Sequence, residues 1–530
     1  MAMIASVSPI DGSNLGEFTL TSAAEINQQI QAARLAGKSW SQLSVKARLK
    51  RLAPLNQLLL ANADILCDCI SQTSGKVTTE ALLGELIPVL ELNRFYQKQA
   101  QNILKTQPIS TSPLMFPFST AKIERRPFGV VAIISPWNYP FQLSVAPIVT
   151  ALIAGNAVLL KVSELSLPVG KLIIDLFKQL DLPADLVQWV VGNGETGQQL
   201  LDAGPDLVFF TGSLASGQKV MRSAAQHPIP VLMELGGKDA MLVFADANLN
   251  RACNAAIYGG FCNSGQVCMS IERLYVQQAC FDRFLAMLLS AVQQINIGHG
   301  EAGDLGAICD QRQFEIIKAH YDDALAQGAK ASGPLVREGN YLRPVVLWQV
   351  HHGMRVMREE SFGPLLPVMA FAEANDAIQL ANHSEYGLNC SIWSQHIGFA
   401  KSIASQLQTG NWVVNDVLKN VGHPGLPFGG VKKSGFGRYR GAEGLRSFSY
   451  PVAGLTNRSA LSHEPNWFPY SKQRYALFKS YLDFVYSSDN MLLRLIRNWS
   501  AIFAFRHYAR LDIRQSWQNI KQSMPWKQDY

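Results

Sequence analysis

The chain has 530 residues, 48% of them apolar and 16% charged. Two or three domains, or one large α/β unit with additions, follow, with a large core, and global disorder is excluded. The net charge of +7 is uneven: the last eighty residues hold eleven Lys/Arg against five Asp/Glu, leaving the first 450 nearly neutral. A basic core built for nucleic acid is therefore excluded, while a basic tail is present. The eight cysteines form no CxxC pair and have no histidines at zinc spacing, so no metal is expected. The segment Met1-Ala-Met-Ile-Ala-Ser-Val-Ser-Pro9 has neither a basic run nor a long apolar one. The expectation is a cytoplasmic protein without a signal peptide, its thiols kept reduced.

Residues 22–105 read as helices. Ser22 suits a cap for a segment from Ala23, with Ile26, Ile30, Ala33 and Trp40 near helical spacing. No chemistry is visible there. Residues 105–125 contain Pro108, Pro113 and Pro117 and read as an extended arm or hairpin. From Pro127 the pattern changes. Gly129-Val-Val-Ala-Ile-Ile134 is a continuous apolar run, the mark of a buried parallel strand. It leads into Ser135-Pro-Trp-Asn138-Tyr-Pro140, at the strand end where ligands of open α/β sheets gather. Further strands read as Ala157–Lys161, Val187–Val191 and Leu207–Phe210, and their alternation with helices predicts a doubly wound parallel sheet.

Gly192-x-Gly194-x-x-Gly197 spells a dinucleotide fingerprint but follows the third strand of the series, and a tight βα turn explains it as well. Thr211-Gly-Ser213 is the better phosphate candidate, since a small loop opening a helix offers backbone N–H groups to a pyrophosphate. Lys161 and Glu164 suit ribose hydroxyls, and a carboxylate there favours NAD over NADP. A second α/β segment follows, with a helix at Phe281–Val292 and a strand at Leu342–Val350. In Met357-Arg-Glu-Glu360-Ser-Phe362-Gly-Pro364 a carboxylate and an aromatic can hold a sugar and a flat ring; an Arg358 ion pair with Glu359 or Glu360 is the plainer reading. His351 and His352 read as surface. Arg125, Arg126 and Arg273 serve either structure or substrate.

The most telling cysteine is Cys268, after the Gly-Gln turn of Phe261-Cys-Asn-Ser-Gly-Gln-Val-Cys268. Thirty-four residues upstream stands Glu234, in Met233-Glu-Leu-Gly-Gly-Lys238. A thiol and a lone carboxylate suit covalent catalysis, the thiolate attacking and the base activating water. Cys262 lacks the turn, and the other cysteines read as inert small hydrophobes. Lys238 reads as ordering its glycine loop.

Together these segments resemble the NAD(P)-dependent aldehyde dehydrogenase superfamily over about residues 20–450. The resemblance is carried by Pro136-Trp-Asn138, Lys161-Val-Ser-Glu164, Phe210-Thr-Gly-Ser213, Met233–Lys238, Asn263–Cys268, Glu360-Ser-Phe-Gly-Pro364 and Pro427-Phe-Gly-Gly430. It implies an aldehyde dehydrogenase-like α/β fold. A Rossmann-type dinucleotide-binding domain would take 1–104 and 127–233, and a catalytic domain 234–439. A β oligomerisation arm would take 105–126 and 440–455, giving a homodimer or homotetramer. It implies Cys268 as nucleophile, Asn138 with the Cys268 N–H as oxyanion donor, and Glu234 as the base that hydrolyses the thioester. Trp137, Lys161, Ser163, Glu164, Gly212, Ser213, Gly217, Glu360 and Phe362 fall on the cofactor side, for NAD with NADP as the alternative. Two departures stand out: Val162 replaces a frequent proline, and Ser361 replaces an apolar residue.

Residues 456–530 lie beyond the resemblance and hold fifteen aromatics. Tyr475, Phe478, Leu482 and Val485 share one helical face; Leu492, Leu495, Ile496, Trp499 and Phe503 share another, with Arg494 and Arg497 set apart. No run is long and apolar enough to span a bilayer. Peripheral membrane contact and packing on the protein both fit. The membrane reading points to an apolar substrate: a long-chain fatty, isoprenoid or carotenoid-type aldehyde. Small or semialdehyde substrates, acyl transfer to CoA, and a non-catalytic binding protein are the alternatives.

Overall fold

The computed structural model describes residues 2–499, save 113, 114, 117, 301, 302, 460–463 and 465. Pro113, Pro117 and Phe503 lie outside the described residues. The chain divides into two compact units. One comprises residues 1–105 and 125–450; the other comprises residues 106–124 and those from 451 on.

The first unit opens with an antiparallel hairpin, Met3–Val7 against Asn14–Thr19, that hydrophobic periodicity did not disclose. The helices then begin at α1 (Ala23–Ser41). Ser22 and Glu25 exchange side-chain and backbone hydrogen bonds in a capping box, and Ile26, Ile30, Ala33 and Trp40 face inward. The Trp40 indole donates to the Leu152 carbonyl at 2.8 Å, tying α1 to α2 (Gln142–Ala154).

The first sheet has six strands. In chain order they are β1 (Val130–Ile134), β2 (Ala157–Lys161), β3 (Val187–Trp189), β4 (Leu207–Thr211) and β5 (Val231–Glu234), with Gly435–Phe436 added at the edge. Their spatial order is edge strand, β5, β4, β1, β2, β3, and all but the edge strand are parallel. The chain runs outward from β1 to β3, then returns to set β4 on the other side of β1. A crevice opens at that reversal, outside the strand carboxyl ends. Ser135–Asn138 follows β1 there, and Thr211–Ser213 ends β4.

The second sheet has seven strands. In it β6 (Asp239–Val243) lies between the central strand β7 (Ile271–Gln277) and Asn389–Trp393, all parallel. The expected strand Leu342–Val350 is broken into Tyr341–Leu342 and Val345–Trp348, around a proline that cannot donate to a ladder. Only Leu235–Lys238 separates β5 of one sheet from β6 of the other, so Glu234 stands where the sheets join.

In the second unit, Gln107–Ile109 and Ser119–Pro127 pair as a hairpin, with Ser449–Asn457 beside it in a three-stranded sheet. The helix Lys472–Tyr486 follows, and residues 491–499 are helical. Among the described residues no helix is long and apolar enough to cross a membrane.

Asp206, just before β4, fastens α1 to the sheet. It accepts from Arg34 Nη1 at 2.6 and 2.8 Å and from the Val130 N–H at 2.7 Å. Asp206→Ala should destabilise the fold by about 1–3 kcal/mol, because the Val130 donor is left without its acceptor. Thermal unfolding reads this; an unchanged midpoint would show that water replaces the carboxylate.

Candidate active site

The loop that carries Cys268 is strained before it reaches the thiol. Asn263 and Ser264 have φ of 50° and 56°, and Gly265 has φ of 72°. The two non-glycine residues each cost on the order of 1–3 kcal/mol in that region. Buried hydrogen bonds hold them. Glu80 accepts from the Asn263 N–H at 2.6 Å, and Ser264 Oγ donates to Gly306 O at 2.6 Å. The Gln266 amide donates to Asn263 O at 3.0 Å and accepts from the Cys309 N–H at 2.8 Å.

Cys268 is half-buried. Burial pushes its thiol well above the ordinary range, and the carboxylates Asp239, Glu360 and Glu234 add to the effect. Gly236 and Gly237 explain how these groups converge. A Cβ on Gly236 would lie 2.2 Å from Glu360 Oε2, and one on Gly237 would lie 2.2 Å from the Cys268 carbonyl oxygen. The Gly237 N–H donates to Glu360 Oε1 at 2.9 Å. Glu360 is pushed up to about 8 by burial and by Glu272, against the Gly237 N–H and Lys238. Glu234 is buried, its Oε2 has no hydrogen-bond partner among the described residues, and burial raises its pKa well above the carboxylate range against Arg438. A raised pKa makes a carboxylate a stronger base.

Asn138 lies at the crevice end of β1, with its Nδ2 donating to Gln266 O at 2.9 Å. Nδ2 carries two hydrogens, so one remains for a ligand. The Asn138 carbonyl accepts from Asn263 Nδ2 at 3.2 Å and from Lys76 Nζ at 2.7 Å. Lys76 forms a fully buried ion pair with Glu85 at 2.6 Å, and Glu85 Oε2 accepts from the N–H groups of Phe141 and Gln142. Lys76, Glu80 and Glu85, from the helical scaffold of residues 22–105, anchor both the Asn138 loop and the loop that carries Cys268. No motif marks them, because the contacts span 62 residues from Lys76 to Asn138 and 183 from Glu80 to Asn263.

The cofactor-side residues gather around the crevice. Ser163 caps the short turn Glu164–Ser166, with its Oγ accepting from the Leu165 N–H. Lys161 Nζ is buried against Val162 O at 3.3 Å; burial lowers its pKa, and Glu164 opposes the shift. Ser213 caps α3 (Gly194–Asp202)'s successor, α4 (Leu214–Ala224), and Gly212 donates to Glu234 O at 3.0 Å. Gly217 lets α4 close on the sheet, since a Cβ there would lie 2.5 Å from Leu235 Cδ2. Trp137 and Phe362 meet edge to face with ring centroids 5.5 Å apart. A dinucleotide suits this set: α4 turns its first-turn N–H groups to the crevice, and the buried Thr211 Oγ1 has no partner among the described residues. In Gly192–Gly197, Asn193 accepts from the Glu195 and Thr196 N–H groups and caps α3, which is the tight βα turn.

Residues 2–452 match the aldehyde dehydrogenase family model. The chain belongs to the aldehyde dehydrogenase family. It is an enzyme that oxidises aldehydes and depends on NAD(P). It is 62% identical over 529 residues to the 4,4'-diapolycopene aldehyde oxidase of a Methylomonas species, with 100% of both chains covered. The betaine aldehyde dehydrogenase of Staphylococcus aureus, solved with NAD+, is 28% identical with a TM-score of 0.82, covering 88% of this chain and 94% of that one. An NAD-dependent aldehyde dehydrogenase from Sinorhizobium meliloti is 31% identical with a TM-score of 0.83, covering 88% and 93%.

The Ser361 departure has a place in this aldehyde dehydrogenase. Ser361 is fully buried, and its Oγ meets Lys238 Nζ at 3.3 Å and His320 Nδ1 at 3.0 Å. Lys238 pairs with Glu272, which in turn accepts from the N–H groups of Ser361 and Phe362 at 2.8 and 3.0 Å. Lys238 therefore orders the Glu360 loop as well as its own. The expected Arg358 ion pair is replaced by Arg355–Glu359 at 2.8 Å, one helical turn apart, and Glu360 turns inward to Gly237. His352 is half-buried rather than on the surface, its Nε2 3.0 Å from the Tyr275 hydroxyl. Arg273 serves structure, donating to the carbonyls of Lys238, Leu380 and Ala381.

Burial pushes the Glu80 carboxyl up to about 7, against the Asn263 N–H and Lys76. The folded state therefore holds this proton more tightly than the unfolded chain, and stability falls as pH rises from the ordinary carboxylate range through about 7. Glu80→Gln should match the parent at pH near 5 and exceed it at pH near 8, by about 2 kcal/mol. Thermal melts across that range test it; a variant weaker at high pH would contradict it. If Lys76 acts through Asn138, Lys76→Met and Asn138→Ala should lower kcat/KM non-additively, whereas fully additive losses would separate the two.

Proposed function

We propose that this enzyme oxidises an apolar, carotenoid-type aldehyde to the carboxylic acid, with Cys268 as nucleophile. The observation that carries the substrate class is the 62% identity, over 100% of both chains, to a diapolycopene aldehyde oxidase. That likeness includes the extension beyond residue 452, where the family match ends.

The Cys268 thiol holds its proton at rest, so attack requires that the proton leave Sγ. Solvent at the half-buried thiol takes it. Sγ then bonds the aldehyde carbon, and the carbonyl oxygen becomes an oxyanion that takes the remaining Asn138 Nδ2 hydrogen and the Cys268 N–H. A bound nicotinamide supplies the acceptor for the hydride that leaves this carbon. A thioester remains on Cys268. Glu234 then takes a proton from water, the hydroxide attacks the acyl carbon, and the C–S bond breaks to release the acid and thiolate. A base in that place favours water over CoA as the acyl acceptor.

Lys161, Ser163 and Glu164 hold the adenosine ribose, with Glu164 favouring the unphosphorylated 2′-hydroxyl and hence NAD over NADP. Gly212, Ser213 and Gly217 present the α4 N-terminus to the pyrophosphate. Glu360 holds the nicotinamide ribose, and Trp137 and Phe362 flank the ring. The three-stranded sheet of the second unit serves assembly into a dimer or tetramer. The enzyme works in the cytoplasm, at a membrane surface reached through its C-terminal extension.

NADH formation across short, long-chain and carotenoid-type aldehydes, with NAD and NADP compared, tests this reading. The carotenoid-type substrate with NAD should give the highest kcat/KM; preference for short semialdehydes would refute it. Cys268→Ser should lose turnover. Glu234→Gln should yield about one equivalent of NADH per site and then stall, because acylation outlives hydrolysis. Steady turnover by that variant would remove Glu234 from the hydrolytic role.

A further inference from the structure

In the described part of the C-terminal extension, polar side chains join two helical segments while several large apolar side chains face outward. The helix Lys472–Tyr486 turns back through residues 487–490 into the helical residues 491–499. Polar contacts join the two. Arg497 bridges Asp483 at 3.0 Å and also binds Asp489. Asn498 Nδ2 donates to Asp483 Oδ2 at 2.8 Å, and Asn498 is only 5% exposed. Arg494 donates to the carbonyls of Phe484 and Val485 at 3.3 and 3.2 Å, where the first helix ends. Leu477 is the one large apolar side chain buried in the described helix.

Phe478, Phe484, Val485 and Leu495 are half-buried, while other large apolar side chains face out. Tyr475, Leu482 and Tyr486 are 72%, 55% and 73% exposed and form one stripe with Lys472 and Lys479. On the returning segment Leu492 and Ile496 are 68% and 65% exposed. A helical hairpin stable in water normally does the reverse, burying its apolar stripes against each other. This surface needs an apolar cover.

Three observations favour a lipid surface. The first stripe alternates Tyr and Leu with Lys, the pattern of a helix lying at the acyl–headgroup boundary. Six of the chain's seven net positive charges fall after residue 450, and both acidic side chains of the hairpin are bound by Arg497. The extension also lies outside the family match yet inside the alignment to the relative named for an apolar polyene aldehyde.

We propose that the outer face of this hairpin docks on an anionic bilayer surface, with Tyr475, Leu482, Tyr486, Leu492 and Ile496 in the acyl boundary and Lys472 and Lys479 at lipid phosphates. The purpose, collecting substrate from the membrane, rests on the proposed apolar substrate. The docking itself is measured without any substrate.

The test is flotation of the full-length chain with phosphatidylcholine vesicles that contain or lack phosphatidylglycerol. The parent should float with the anionic vesicles. Lys472→Glu/Lys479→Glu and Leu482→Asp/Ile496→Asp should each weaken partitioning about tenfold or more. Both variants should keep the parent's activity on a short, water-soluble aldehyde, which verifies the fold. A parent that ignores anionic vesicles overturns the proposal, as does a Leu482→Asp/Ile496→Asp variant that floats like the parent. Loss of oligomer mass in that variant, with no vesicle binding by the parent, would assign the face to a second copy of the chain. A parent that binds vesicles but oxidises only short aldehydes refutes the substrate reading alone. One that oxidises a carotenoid-type aldehyde in detergent micelles yet ignores vesicles refutes the docking alone.

Discussion

The close approach at Gly236 and Gly237 is the constraint on which the site depends. The link between the two sheets runs against the Glu360 carboxylate on one side and the Cys268 carbonyl on the other, at distances no Cβ tolerates. Because of it, a base at the end of one sheet, a thiol loop entering the other and a carboxylate from a third loop share one small volume. The electrostatics follow from that crowding. Burial, with repulsion from Asp239, Glu360 and Glu234, holds the thiol in its neutral form, and burial raises the basicity of the carboxylates.

Crowded loops need rigid supports. The Asn138 loop rests on Lys76 and Glu85, and the strained Asn263–Gly265 turn rests on Glu80 and Gln266. The Glu360 loop rests on Lys238, Glu272 and Ser361. Each support except the half-buried Glu80 is buried, so each such bond is little weakened by water, and losing one partner would strand the other. The proposed chemistry uses atoms carried by these loops, and the supports set where the atoms stand.

The extension obeys a different rule. The core hides its apolar groups, whereas the described hairpin pairs Asp483, Arg497 and Asn498 between its helical segments and leaves Tyr475, Leu482, Tyr486, Leu492 and Ile496 exposed. An aldehyde dehydrogenase core and a hairpin with exposed apolar side chains fit the proposed substrate, which itself partitions into hydrocarbon.

The sequence alone determined the family, the α/β class and the order of strands along the chain, and it singled out Cys268 and Glu234 as the proposed reactive pair. Those properties are local: apolar runs make strands, a small loop opens a helix, and several short motifs recur in fixed order. The tertiary structure decided what depends on distant contacts. Lys76, Glu80 and Glu85 sit among ordinary helical residues and become part of the site only when the chain folds back on itself. Ser361, a departure in sequence, becomes a buried hydroxyl between Lys238 and His320. Arg358 and Arg355 are equivalent by composition, and helix geometry chooses Arg355. Spacing grouped Tyr475 with Phe478, Leu482 and Val485, whereas the structure exposes Tyr475 and Leu482 and half-buries the other two, because spacing cannot say which side faces water. That depends on the side-chain contacts of Asp483, Arg494, Arg497 and Asn498, which exist only once the two segments pack together.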